Sequence, residues 1–193
     1  MPGTSIRRAS LDDAAGIAAV HVATWRSAYP GLLPDAYLAG LSTPRLTQFY
    51  RRLLADRGGN AAVFVAMAEP ESGGGPARLV GFSGCGRARR SLMGGGVADG
   101  EIDTLYVLDD FRERGIGRRL LRAAGAHLAA VGCGSAMLWV LRDNPSRWFY
   151  QRLGGRPVGW ELTRVGGTAV AQMALVWDPI AQLLRATAAA GGA

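Results

Sequence analysis

A glycine-containing turn between an apolar segment and an amphipathic segment constrains the fold of this chain more than any other feature. The turn, residues 112–117 (RERGIG), follows a strand-like run over 102–108 and precedes a helical pattern over 118–131. A helix that starts directly after a strand presents N–H groups without intrahelical acceptors, and its dipole favours an anion there. Glycine has no Cβ, so a ligand can approach the backbone closely. The segment therefore predicts a strand–turn–helix unit that binds phosphate or pyrophosphate.

The length and composition indicate one globular domain. The 193 residues are 49% hydrophobic and 19% charged, which is typical of a chain that buries a core rather than of a disordered one. No apolar run approaches the roughly 18 to 20 residues that a membrane span requires, and residues 1–10 do not resemble a secretory signal. The two cysteines, Cys85 and Cys133, have no metal or disulfide spacing. We therefore expect a cytoplasmic protein with no membrane and no metal.

The net charge of +7 comes from a chain in which all 22 basic residues are arginine. High G+C coding bias is one explanation, and a need for anionic partners is the other, because the arginine fork suits phosphate. Outside residues 112–122 the arginines are scattered, and no nucleic-acid motif is present. The sequence thus predicts no nucleic-acid partner.

Hydrophobic periodicity and turn residues predict an α/β fold with a mixed sheet. The predicted strands cover 4–9, 61–68, 78–87, 101–108, 136–141, 159–165 and 168–177, and the predicted helices cover 11–28, 34–40, 43–56, 115–131 and 145–153. Glycine-rich loops are expected at 70–76 and 94–96. We expect one domain over 1–178, followed by a C-terminal tail over 179–193 that is partly helical or disordered.

Several segments of the chain carry motifs that are informative together. Arg112, Gly115 and Gly117 fill the pattern of Arg or Gln, two residues, Gly, one residue, then Gly or Ala. The strand EIDTLYV stands before this signature, and residues 144–155 (NPSRWFYQRLGG) stand after it. In these three segments the chain resembles the signature, central strand and second motif of the GNAT superfamily of acetyl-CoA-dependent N-acetyltransferases, and residues 21–34 resemble the acceptor-side opening of many bacterial members. One departure is Gly155, which stands where the family usually has an aromatic residue.

The resemblance implies a single-domain fold with a mixed, mostly antiparallel sheet of six to seven strands flanked by helices. It also implies that acetyl-CoA is the acyl donor. The residues that it assigns to the cofactor are Leu105, Tyr106, Val107, Arg112, Arg114, Gly115, Ile116, Gly117, Arg118 and Asn144. Within this set, Asn144 could instead only cap the helix that follows it.

By the same resemblance, Glu101 matches the position of a general base that acts through a water, and Tyr150 matches the general acid for the leaving thiolate. Asp103 is the reserve base, because alternation along a strand places it on the same face as Glu101. Unpaired backbone N–H groups of residues 105–107 would stabilise the oxyanion. The alternatives are that the carboxylates are solvated charges at a strand end and that Tyr150 is a core tyrosine.

The acceptor is expected to be an unidentified primary amine on a small molecule or peptide. Trp25 and Tyr29 lie where the resemblance places its entry, and packing of helix against sheet is an equal explanation for them. His21 is expected to be structural rather than catalytic, and Cys85 is not expected to be a nucleophile. The positive net charge disfavours a strongly cationic acceptor unless Asp and Glu cluster in the cleft. A homodimer is left open.

Three other classes of protein fit the sequence less well. A non-catalytic acyl-CoA-binding or sensing domain is disfavoured because both Glu101 and Tyr150 are present. A nucleic-acid-associated protein has only the arginine surplus in its favour. A Rossmann dinucleotide enzyme is excluded, because Leu120 stands where that fingerprint's third glycine belongs and no parallel βαβ repeat follows.

Overall fold

The computed structural model of the chain describes residues 3–56, 60–70, 75–88 and 97–188. The predicted loop at 94–96 and most of the one at 70–76 lie outside the described residues. In chain order the elements are β1 (Thr4–Arg8), α1 (Ala14–Ala28), α2 (Asp35–Ala39), α3 (Thr43–Ala55), β2 (Ala62–Ala68), β3 (Arg78–Arg87), β4 (Gly100–Val107), α4 (Ile116–Ala130), β5 (Ala136–Leu141), α5 (Ser146–Arg152), β6 (Arg156–Val165), β7 (Thr168–Trp177) and α6 (Ala181–Ala186).

All seven strands form one sheet in the order β1-β2-β3-β4-β5-β7-β6. Neighbouring strands are antiparallel except for β4 and β5, which run parallel and are joined through α4. A parallel pair needs such a crossover, because a tight turn cannot bring the second strand back in the same direction. The predicted α/β fold with a mixed, mostly antiparallel sheet is confirmed.

Strands β4 and β5 separate soon after they meet. They pair only at Gly100 with Ala136 and at Glu101 with Met137. Beyond these positions β5 stays paired with β7 on its other side, and β4 stays paired with β3. Over the rest of their lengths, the facing edges of β4 and β5 therefore form no backbone hydrogen bonds with each other. The sheet opens there into a cleft with backbone N–H and C=O groups along its walls.

A β-bulge lies in β4 at the start of this cleft. Gly84 of β3 pairs with Thr104, but the next residue, Cys85, pairs with Ile102, so Asp103 is the extra residue on β4. The Gly84 N–H donates to Thr104 Oγ1 at 2.8 Å, and a Cβ at Gly84 would collide with both Asp103 and Thr104. Simple alternation does not hold through a bulge, which bends the strand and redirects its side chains.

Helices cover both faces of the sheet. Helix α1 packs with α3 against one face, where Ile17, Val65 and Phe82 are fully buried. Helix α4 covers the other face with the apolar stripe that its sequence predicts, including Leu120 and Leu128. Because α1 and α4 pack on opposite faces of the sheet, α1 and the start of α4 lie on opposite sides of the cleft.

The C-terminal helix belongs to the folded core. Leu183 of α6 is fully buried, and Gly125 of α4 permits this approach, because a Cβ there would lie 2.8 Å from Leu183 Cδ2. Arg122 of α4 also donates to the Leu184 carbonyl at 2.7 Å. Within the segment 179–193, residues 181–186 form this helix and pack on α4. Sequence alone did not reveal the glycine on α4 that receives it.

Ser10 and Asp13 anchor the start of α1. The Ser10 N–H donates to Asp13 Oδ2 at 2.7 Å, and a short 3-10 turn over Leu11–Asp13 leads into the helix. Arg7 of β1 holds the same carboxylate with two bonds of 2.7 and 2.8 Å and lowers the pKa of Asp13. This paired group fixes α1, which carries much of the candidate site, to the edge of the sheet.

Candidate active site

A cavity of about 870 Å³ occupies the cleft between β4 and β5. On one side it is lined by the turn before α4, the first residues of α4 and helix α5, which we call the α4 side. On the other side it is lined by α1, α3 and the side chains of β4 that face them, which we call the α1 side. One continuous cavity therefore joins the glycine turn to the aromatic residues of α1.

The glycine turn has the geometry of an anion site. Gly115 precedes the first residue of α4 in the left-handed conformation, with φ of 73°, and Glu113 is also left-handed, with φ of 60°. The first helical bond after the turn runs from the Arg119 N–H to the Gly115 carbonyl at 3.1 Å. The N–H groups of 116–118 precede that bond and have no backbone acceptor among the described residues. They are the groups that a phosphate would receive.

The side chains of the turn lie in different places. Gly115, Gly117 and Arg118 line the cavity, and so does Arg112, which forms an ion pair with Asp109 at 2.8 Å. Arg114 instead stacks on the Phe111 ring, 5.2 Å from its centroid, and does not line the cavity. Ile116 is buried under the sheet at 1% exposure. For these last two residues, any contact with a ligand would have to come from the backbone.

Helix α5 begins at a cap that Asn144 provides. Its Oδ1 accepts from the Ser146 N–H at 2.8 Å, while Pro145 occupies the turn position before the helix. Burial raises the pKa of the Tyr29 hydroxyl, and the nearby Asn144 side chain has a smaller, opposite effect on it. Asn144 is buried at the cavity wall, where it caps α5 close to the end of α1.

Tyr150 faces the cavity from α5 and is 7% exposed. Burial, with a smaller effect from Tyr29, raises the pKa of the Tyr150 hydroxyl, so the phenol is protonated at neutral pH. After the helix, the Trp177 indole N–H donates to the Leu153 carbonyl at 2.8 Å. Gly155, the departure from the family pattern, permits this close packing, because a Cβ there would lie 2.9 Å from Trp177 Cζ2.

Two carboxylates of β4 line the cavity. Glu101 sits at the last position where β4 and β5 pair, and Asp103 is the bulged residue. Thr104 Oγ1 donates to Asp103 Oδ1 at 3.2 Å. The Asp103 charge adds to burial in raising the pKa of Tyr50 on α3, so its field reaches the α1 side of the cavity.

The α1 side has an aromatic wall. The Trp25 ring lies 5.0 Å from both His21 and Tyr29, and His21 lies 5.4 Å from Tyr106, measured between ring centroids. His21 Nδ1 is 2.8 Å from the Tyr50 hydroxyl. Burial lowers the pKa of His21 to about 4, so its ring is neutral at pH 7.

The tyrosines of this wall lie close to one another. Burial raises the pKa of both Tyr29 and Tyr106, and the nearby Tyr106 side chain has a smaller, opposite effect on the pKa of Tyr29. The Trp25 indole N–H lies near the Tyr106 hydroxyl and lowers its pKa, but it reaches hydrogen-bond geometry with none of the described residues. Tyr106 therefore faces α1 with its side chain, although the resemblance assigns residue 106 to the cofactor.

The structure brings most of the predicted site residues to one cavity. Those that line it are Trp25, Tyr29, Glu101, Leu105, Tyr106, Val107, Arg112, Gly115, Gly117, Arg118, Asn144 and Tyr150. Sequence reasoning did not select Phe49 and Tyr50 of α3, Thr104 beside the bulge or Phe149 next to Gly117, which line it too. The sequence around Phe49 and Tyr50 contains no motif that indicates a binding site, because it has the pattern of an ordinary amphipathic helix.

Several other kinds of site are not supported in the described parts of the chain. The thiol of Cys85 is buried, and burial with the Asp103 charge raises its pKa to about 12, so it is protonated at neutral pH. In the described ranges no group of three or more His, Cys, Asp or Glu side chains could hold a metal ion. None of the helices over the described residues is both long and apolar enough to cross a membrane.

Comparison with known proteins places this geometry in a family. Residues 25–155 match the family model described as "Acetyltransferase (GNAT) family". The chain is 30% identical over 179 residues to the uncharacterized N-acetyltransferase YuaI of Bacillus subtilis, covering 93% of this chain and 95% of that protein.

The fold is shared with many solved structures, among them two that contain coenzyme A or acetyl-CoA. PaiA N-acetyltransferase of Thermoplasma acidophilum in complex with coenzyme A is similar with a TM-score of 0.63 at 17% identity, covering 89% of this chain and 98% of that one. YncA, a putative acetyltransferase of Salmonella typhimurium with its cofactor acetyl-CoA, has a TM-score of 0.60 at 17% identity, with 91% and 93% covered.

Proposed function

The chain belongs to the GNAT family of acetyltransferases, and we propose that it transfers the acetyl group of acetyl-CoA to a primary amine by direct attack of the amine nitrogen on the thioester. The observation that carries this proposal is the single cavity in which the glycine turn, the separated edges of β4 and β5, Glu101 and Tyr150 all meet. The enzyme would hold donor and acceptor together there, so that no acyl-enzyme is needed.

The α4 side fits the donor. The N–H groups at the start of α4 and the helix dipole suit a pyrophosphate, and Arg112 and Arg118 add charge at the same place. The unpaired edge of β4 over 105–107 offers backbone groups to an amide-containing arm. Bound acetyl-CoA supplies an activated thioester carbonyl. Gly117 next to Phe149 leaves room for the arm to pass between β4 and α5.

The acceptor amine must lose a proton. An alkyl amine with a pKa of about 10.4 is neutral in only about one molecule in a few thousand at pH 7. We propose that Glu101 takes this proton through a water, with Asp103 as the reserve base two residues along the strand. Such general-base assistance typically contributes about 10²- to 10⁴-fold in rate.

Two negative charges also develop in the reaction, one on the carbonyl oxygen and one on the departing sulfur, and residues of β4 and α5 would stabilise them. A backbone N–H within 105–107 would donate to the carbonyl oxygen as negative charge develops on it. Tyr150, which the structure keeps protonated, would give its proton to the departing sulfur. In balance, the N–C bond forms, the C–S bond breaks, one proton leaves the amine and one reaches the thiolate.

The test is release of free thiol from acetyl-CoA in the presence of a panel of primary amines, with mass spectrometry of the acetylated product. We expect thiol and acetylated amine to appear in equal amounts. Binding of acetyl-CoA without release of thiol by any amine would refute the catalytic proposal and leave an acyl-CoA-binding domain.

A further inference from the structure

The hairpin of β6 and β7 extends beyond the rest of the sheet at its turn. Gln172 is the residue of β7 nearest the turn that still pairs with β5. From there to the turn, residues 163–165 of β6 and 168–170 of β7 pair only with each other among the described strands. Thr163, Val165 and Gln172 line the cavity. The hairpin therefore forms part of the cavity wall where no neighbouring strand supports it.

The turn of this hairpin rests on α2. Gly166 and Gly167 form the two-residue turn, with φ of 57° and 84°. A Cβ at Gly166 would lie 2.7 Å from both Cβ and Cγ of Tyr37, whereas a Cβ at Gly167 would meet no atom of the described residues within 4 Å, its chain neighbours aside. Turns with both φ values positive also accept Asn or Asp at the first position. The contact with Tyr37 therefore explains why the first residue is glycine.

Helix α2, which carries Tyr37, is fixed to the end of α1. Arg26 of α1 donates to three carbonyls at the end of α2, those of Leu38 at 3.2 Å, Ala39 at 3.1 Å and Leu41 at 3.0 Å. The Tyr37 ring lies 6.1 Å from the Trp25 ring, measured between centroids, and Trp25 lines the cavity. Tyr37 and the turn do not line it themselves. Their contact thus lies directly behind the lining residues at this end of the α1 side.

We propose that Tyr37 and Gly166 are specificity-determining residues, because their contact closes this end of the cavity and limits the length of the acceptor amine. This inference rests on the proposed function and specifies which acceptors it admits. An acceptor that extends beyond the lining residues at this end has to separate the hairpin from α2 and lose the packing between them. A shorter acceptor leaves that packing intact. The enzyme therefore favours a compact primary amine over a long one.

The test uses a series of straight-chain primary amines, from propylamine to nonylamine, with the intact protein and acetyl-CoA. In wild type we expect kcat/KM, measured from the release of thiol, to stop rising with chain length within the series. In Tyr37→Ala this limit should move to a longer chain, because each further methylene that enters the space of the missing ring contributes about fourfold. The same limit in wild type and Tyr37→Ala, or no limit in wild type, would overturn the inference.

Gly166→Ala and Gly167→Ala are a matched pair of variants. Both place a Cβ on a left-handed residue and carry a similar backbone cost, but only the Cβ at Gly166 meets Tyr37. Gly166→Ala should push the turn away from α2 and move the limit in the same direction as Tyr37→Ala. Gly167→Ala should leave the limit at the wild-type chain length. An equal shift in both glycine variants would contradict the role of the contact.

Leu162→Ala is the control for Tyr37→Ala. Leu162 lies on the same hairpin, is 74% exposed and does not line the cavity, so its removal should not move the limit. Thermal unfolding shows which variants are folded, and Tyr37→Ala keeps the test decisive if Gly166→Ala does not fold. Folded variants should bind acetyl-CoA as wild type does, because the contact lies on the α1 side. Loss of acetyl-CoA affinity in folded Tyr37→Ala would contradict its assignment to the acceptor.

Binding separates this inference from the proposed function. Calorimetry of the same amines with the protein saturated by coenzyme A reports recognition without turnover. If the limit in chain length moves in Tyr37→Ala but no thiol is ever released, the proposed function fails and the inference stands. If thiol is released and the limit does not move, only the inference fails. Absence of binding by every amine of the series, in wild type and in Tyr37→Ala, would also overturn the inference, because chain length would then not decide which amines bind.

Discussion

Two substitutions of Gly117 test the binding of acetyl-CoA independently of the stability of the fold. A Cβ at this position would lie 3.4 Å from Phe149 Cζ and 3.8 Å from Leu105 Cδ2, which are ordinary contacts. Gly117→Ala should therefore fold normally and bind acetyl-CoA within about threefold of wild type. The indole of Gly117→Trp cannot fit between those two side chains and must extend into the cleft.

The expected loss in Gly117→Trp follows from the hydrogen bonds that the indole would block. A bond from a backbone N–H to a charged oxygen contributes about 1.5 to 3 kcal/mol, so losing two at the start of α4 costs about 3 to 6 kcal/mol. That corresponds to a loss of affinity of roughly 10²- to 10⁴-fold. Calorimetric titration with acetyl-CoA measures it, and thermal unfolding confirms that the variant is folded. A folded Gly117→Trp with affinity near wild type would refute the placement of the pyrophosphate.

Three further predictions concern the residues around the reacting atoms. Tyr150→Phe should lower kcat by about 10²- to 10⁴-fold while the dissociation constant of acetyl-CoA, measured by titration, stays near wild type, and an undiminished rate would remove Tyr150 as the acid. Glu101→Gln should lower the rate most at neutral pH, and a pH–rate profile identical to wild type would count against Glu101 as the base. For His21, the pKa of about 4 in the folded chain lies below the ordinary 6.5, so the unfolded chain binds more protons between those values. The free energy of unfolding should therefore fall as the pH is lowered from about 6.5 to about 4, and urea unfolding of His21→Gln should lack that part of the decrease.

Local patterns in the sequence were sufficient for the elements and for the donor half of the site. The apolar stripe of α4 and the glycine turn before it depend on residues within one segment, so their helix and its start were predicted within about one residue. Asn144 and Tyr150 are likewise fixed by one short helix and its cap. Such features are set by backbone propensity and nearby hydrogen bonds, which a single segment contains.

The acceptor half depends on contacts between distant segments. No residue near Asp103 in the sequence indicates a bulge. The bulge forms opposite Gly84 of β3, which has no Cβ and therefore leaves room for the side chains of both Asp103 and Thr104. Tyr50 reaches the cavity only because α3 packs on α1 and its hydroxyl meets His21. The separation of β4 from β5 is a property of the sheet, and neither strand's sequence alone encodes it.

A crystal structure of the protein with bound coenzyme A is the most direct test of the donor site. The pyrophosphate should lie within hydrogen-bond distance, about 2.7 to 3.2 Å, of the backbone N–H groups of residues 116–118. The arm of the ligand should lie between β4 and β5, with its sulfur next to Tyr150. Coenzyme A bound away from the turn, or with its sulfur far from both Tyr150 and Glu101, would refute the proposed site.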